Sequence, residues 1–115
     1  SITGGFVYRG SQFPAAYRGD TALTFITRQT DIPGSSRALG WDTMLPTSSC
    51  GTLMNPTAIG HTGFTGTTLW IDWERDLYVV LLTNRVHPTR ENLAIRQIRP
   101  RFHDSVVAEI ANSQL

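Results

Sequence analysis

The chain has 115 residues and a mass of 12.8 kDa, room for one domain and too little for a two-domain enzyme. Hydrophobic residues make up 40% and charged residues 17%, a balance apolar enough for a folded core and too weakly charged for a disordered chain. Ten arginines against nine acidic residues give a net charge of +1, which provides no long-range field for nucleic acid or an anionic membrane, so neither partner is expected.

Residues 4–10 (GGFVYRG) are aromatic, β-branched and bracketed by glycine, and read as a strand with Phe6 and Tyr8 on one face. Residues 11–19 carry Pro14 and read as a loop, after which Asp20 caps a predicted helix from Thr21 to about Gln29 with Leu23 and Ile26 on one side. Pro33-Gly34 ends that segment, and Arg37 to Thr43 reads as a brief strand in which Leu39 and Trp41 alternate. Met44 to Pro56 reads as an exposed loop, rich in Pro, Ser, Thr and Gly.

Three strand-like runs follow, Ala58–Phe64, Thr67–Asp72 and Leu77–Asn84, joined by short polar connections as in an antiparallel meander. The last run is apolar on both faces, which predicts a central strand covered on two sides. From Arg90 the period becomes helical, with Leu93, Ile95 and Ile98, then a stripe of Phe102, Val106 and Ile110 expected to pack on the sheet. Pro100 is placed in a first helical turn, where its missing N–H costs least. The expected fold class is α+β: an antiparallel sheet of three to four strands, a C-terminal helix packed on one face and a short N-terminal helix.

The run Gly60-His61-Thr62-Gly63-Phe64-Thr65-Gly66, leading to Trp70-Ile71-Asp72 and then RDLYVVLLTNRVHPTR, is more specific than a generic meander. It resembles the C-terminal part of serine β-lactamase-like hydrolases, the group around class C β-lactamases, D,D-carboxypeptidases and related esterases. The likeness spans about residues 22–112. In that family S-x-x-K, a Tyr or Ser motif ending in Asn, and K-T-G or H-T-G meet at one cleft. His61, Thr62 and Gly63 match the third motif. The resemblance makes His61 and Thr62 the cleft-facing groups that hold a substrate carboxylate or proton network. It makes Gly63 the point where substrate backbone approaches, and the Phe64 N–H one of two oxyanion donors.

The departures from the family pattern are large. The chain contains no lysine, so S-x-x-K cannot occur, and there is no Tyr-x-Asn or Ser-x-Asn triplet. No catalytic residue is therefore assigned within this chain, because nucleophilic catalysis needs an activated nucleophile beside a base. Residues 1–19 are instead similar to a blade segment of soluble aldose sugar dehydrogenases, propellers that use pyrroloquinoline quinone. Nothing of a quinone or calcium site carries over from one strand, and no cofactor is expected. The domain expectation is one unit over 1–115, with 1–20 a foreign strand and loop joined to a β-lactamase-like portion at 21–115.

Other candidates read as structural. Cys50 is the only cysteine and cannot close an internal disulfide; the Ser48-Ser49-Cys50 run has no assignable base and reads as a solvated turn. His61, His87 and His103 lack ligand spacing, so no metal is expected. Trp41, Trp70 and Trp73 read as packing side chains, and Arg96, Arg99 and Arg101 as a solvated helix face. There is no apolar run of the ~18 residues needed to span a membrane, and no compartment is readable. The functional expectation is a fragment or fused remnant of such a hydrolase, silent alone, whose partner is the missing N-terminal portion or a second copy. A small acyl substrate would bind only in a completed site. The alternative is a non-catalytic module that binds a peptide or itself through an exposed strand edge.

Overall fold

A computed structural model of the protein describes Gly19 and residues 21–113. The strand expected at 4–10, most of the loop after it and the Asp20 cap lie outside the described residues. The elements run α1 (Thr21–Ile26), β1 (Asp42–Thr43), β2 (Ile59–Thr62), β3 (Thr68–Asp72), β4 (Leu77–Leu81) and α2 (Ile95–Ser113). They form an antiparallel sheet in the order β1-β2-β3-β4 with α2 on one face, the α+β arrangement expected.

Helix α1 stops short of Gln29. The Thr27 hydroxyl bonds back to Leu23 O at 2.6 Å, and the Gln29 N–H leaves the helix to bond Arg37 O at 2.8 Å. No residue of α1 is buried, so it adds little to the core. Arg28, just beyond it, ties the segment to β1 by bonding the Thr43 hydroxyl and Met44 O, both at 2.7 Å.

The strand expected over Arg37 to Thr43 shrinks to two residues. Gly40 at φ 80° lets the chain turn between Ala38 N–H and Trp41 O, so Arg37 bridges Asp42 and the run folds back on itself. Leu39 is exposed as a result.

The meander is as expected in order, with one correction at its end. β4 lies at the sheet's edge, and Tyr78 and Leu82 are 72% and 77% exposed. Only its Leu77 and Val79 face joins the core. A run apolar on both faces predicts a central strand only when something covers its second face, and among the described residues nothing does.

α2 begins at Ile95 rather than Arg90, because the Asn92 side chain takes the Ala94 N–H at 2.9 Å and sets the first turn there. Pro100 is therefore inside the helix, beyond the first turn, where it removes one ladder bond. The buried positions of α2 are Ile95, His103 and Val107, with Arg99 half-buried between them. This stripe of spacing four is rotated from the Phe102, Val106, Ile110 stripe expected, of which Phe102 and Val106 pack at its border and Ile110 is half-buried.

Trp70 is fully buried at the centre, with Val79 beside it and Val107 of α2 against it. Truncating such a side chain costs roughly 3–5 kcal/mol. The expected loop between Met44 and Pro56 is irregular but not simply exposed, since Cys50, Met54 and the following Ala58 belong to the same core. Long-range polar bonds hold it there. Asp104 of α2 accepts the Thr52 and Leu53 N–H groups at 2.7 and 2.9 Å, Asp72 accepts the Asn55 N–H and side-chain amide, and Ser49 accepts the Trp70 indole N–H at 3.0 Å.

Candidate functional site

The H-T-G triplet occupies the end of β2 and the start of the β2–β3 turn. Side chains alternate along a strand, so His61 and Thr62 point to opposite faces of the sheet. His61 lies opposite Leu69, which lies opposite Val80, forming a row on the face away from α2. Thr62 lies opposite Thr68, whose hydroxyl meets His103 of α2, so Thr62 is on the helix side.

Each face has its own hollow. His61, Trp41, Leu69, Val80 and Leu82 line an apolar one of about 200 Å³. On the other side Thr62, Arg96 and Arg99 line a polar hollow of about 420 Å³ together with Ser48 and Ser49, and Thr62, Phe64 and the same two arginines line another of about 360 Å³. Thr62 thus borders all of these hollows, and a hydroxyl and a guanidinium lining the same hollow can together bind a carboxylate.

Gly63 and Phe64 are in the turn that follows. Gly63 N–H bonds Thr67 O at 2.8 Å, closing the hairpin, and Phe64 is 67% exposed with the Arg85 guanidinium 4.5 Å above its ring. The Phe64 N–H has no acceptor among the described residues.

Arg85 and Arg99 are residues that sequence reasoning missed. Arg99 is not on a solvated helix face: it reaches across to Gly63 O at 2.7 Å, Thr67 O at 3.2 Å and Gly66 O at 3.3 Å. Burial and the nearby charge of Arg85 both lower its pKa. A signal was present in the spacing of four from Ile95 through Arg99 and His103 to Val107, but two polar residues disguise it as a surface face.

The remaining candidates are structural. Cys50 is buried, and burial first of all, then the carboxylates of Asp104, Asp42 and Asp72, pushes its thiol up to about 12, so it is no nucleophile. Ser48 bonds the Leu45 N–H and Thr43 O, and Ser49 holds Trp70. Asp72 is buried, which alone would raise its pKa, but the Asn55 bonds and Arg75 outweigh this and hold it low. Among the described residues no group of three or more His, Cys, Asp or Glu could hold a metal ion, and no helix is long and apolar enough to cross a membrane.

Comparison with known families matches residues 11–100 to the beta-lactamase family, and the chain belongs to that family. Among curated proteins it is similar to the "Putative D-alanyl-D-alanine carboxypeptidase" of Escherichia coli K12 and that of Escherichia coli O157:H7. Each is 36% identical over 76 residues, 62% of this chain and 17% of the relative. The chain thus corresponds to about a sixth of the length of these relatives. No solved structure matches the chain significantly. The family match starts at residue 11 and so takes in part of the stretch 1–20 expected to be foreign to the family.

Proposed function

We propose that the chain forms the substrate-side wall of a serine hydrolase site of the β-lactamase, D,D-carboxypeptidase or esterase type, and turns over substrate only when a segment bearing the nucleophile completes it. The observation that carries this reading is Thr62, which at the end of the H-T-G strand lines two polar hollows together with Arg96 and Arg99. In the completed site Thr62 and Arg96 hold a substrate carboxylate, Gly63 admits substrate backbone, and the Phe64 N–H stabilises the oxyanion of the tetrahedral intermediate. His61 lines the apolar hollow on the other side of the strand, where a substrate side group fits. The serine, its lysine and the second donor must come from elsewhere, since this chain has no lysine.

The test mixes the purified chain with a separately expressed family segment that carries S-x-x-K and the Tyr or Ser motif ending in Asn. Hydrolysis of a D-alanyl-D-alanine peptide or a chromogenic ester is expected from the mixture and from neither part. Thr62→Val is expected to lower the rate by about tenfold, the loss of one hydrogen bond to charged groups, and His61→Ala by less. A folded complex without turnover would count against the reading.

A second reading is favoured by the exposed edge strand β4, with Tyr78, Val80 and Leu82 uncovered. Such an edge recruits an extended peptide or a second copy. A dimer in solution that Tyr78→Lys with Leu82→Lys dissociates would support this non-catalytic role; a monomer that takes up no extended peptide would exclude it.

A further inference from the structure

The turn after the H-T-G strand has a lopsided hydrogen-bond balance. Gly66 N–H bonds Gly63 O at 3.0 Å and Gly66 sits at φ 109°, the pattern of a three-residue hairpin loop closed by a bulge glycine. Each carbonyl from Gly63 to Thr67 accepts a bond from Arg85 or Arg99. Arg99 takes those of Gly63, Gly66 and Thr67; the Arg85 side chain takes that of Phe64 at 2.8 Å and its backbone N–H that of Thr65 at 2.8 Å. Neither guanidinium has a carboxylate partner among the described residues.

A peptide unit is planar, with its C=O and N–H pointing opposite ways. The Gly63 carbonyl and the Phe64 N–H share one such plane, so the Arg99 bond to Gly63 O aims the Phe64 N–H away from Arg99. The Phe64 carbonyl and the Thr65 N–H share the next, so the Arg85 bond to Phe64 O aims the Thr65 N–H away from Arg85. Both of these N–H groups lack an acceptor among the described residues.

We propose that Arg85 and Arg99 are positioning residues of the H-T-G turn, which clamp its carbonyls and thereby hold the Phe64 and Thr65 N–H groups as fixed donors for an oxygen anion. The inference rests on the proposed acyl-binding site, for which Phe64 is the oxyanion donor. Preorganisation of this kind matters because a donor already aimed at the developing charge costs no reorganisation during the reaction. A lysine at position 99 would keep the charge but lacks the planar fork that spans several carbonyls.

The test uses the full chain labelled with ¹⁵N and acetate as the probe anion. Arg99→Lys is expected to speed hydrogen exchange at the bonded Gly63 and Gly66 amides by about tenfold, while the Trp70 and Val79 amides keep their protection. It is also expected to abolish the acetate-induced shift of the Phe64 amide, a response that a purely stabilising residue would leave in place. Arg85→Gln, which within the turn frees only Phe64 O and outside it Arg90 O, is expected to weaken the Thr65 amide's response and provides a second, milder probe should Arg99→Lys fail to fold. Unchanged turn amides and an unchanged acetate response in a folded variant would overturn the proposal. Failure of the reconstituted hydrolase with these amide effects present would instead fall on the hydrolase reading, so the two are separable.

Discussion

The Thr68 hydroxyl and His103 Nε2 stand 2.8 Å apart in the fully buried layer between the sheet and α2, and His103 Nδ1 has no hydrogen-bond partner among the described residues. Burial first, and the charge of Arg99 in addition, depress the His103 pKa from near 6.5 to about 4, against the opposing pull of Asp104. The unfolded chain therefore binds a proton that the folded one refuses in this window. Stability is full above pH 6.5 and is lost as pH falls toward 4, by up to about 3 kcal/mol. Denaturant midpoints measured against pH should show this slope, and His103→Gln should flatten it. Equal slopes in both proteins would show that His103 is not its source.

Gly60 faces the flat side of Trp70. A Cβ at this position would fall inside the Trp70 indole and 2.5 Å from Leu69 O, leaving no room without moving the core. Gly60→Ala is expected to destabilise the fold by about 1–3 kcal/mol, read as a lower thermal midpoint. Gly40→Ala, with open space around its Cβ but φ 80°, should cost only the backbone strain of about 1 kcal/mol. A tolerated Gly60→Ala would mean that Trp70 does not lie against β2.

Cys50 reports on unfolding. With its thiol pushed up to about 12 and no exposed surface, it should resist a thiol reagent at pH 8 in the native protein and react fully in denaturant. Rapid native-state labelling would show that the segment from Met44 to Ala58 opens independently of the sheet.

Much of the architecture is legible in the residues alone, because the meander and the final helix are written in short windows. The run at 67–71, rich in β-branched and aromatic residues, glycine at Gly63 and Gly66 and the short connection at 73–76 define strands and hairpins locally. The limits of legibility are equally physical. Arg37 to Thr43 looks extended, yet Gly40 folds it back; Leu77 to Asn84 looks central, yet it is an edge. Of the candidate site, the motif at 61–64 is visible in the sequence, whereas the split of His61 and Thr62 between two faces follows only from the strand's register against β3.

By itself the sequence determined the α+β composition and the order of the meander strands, since each depends on backbone preferences and residue spacing within a few positions. Tertiary structure alone decided which face of α2 turns inward. That face carries His103 and Arg99, whose polar groups are accommodated by partners more than 30 residues away, Thr68 for one and the carbonyls of the β2–β3 turn for the other. Hydrophobic periodicity records the burial of apolar groups; it is blind to a polar side chain that enters a core because a distant acceptor is waiting there.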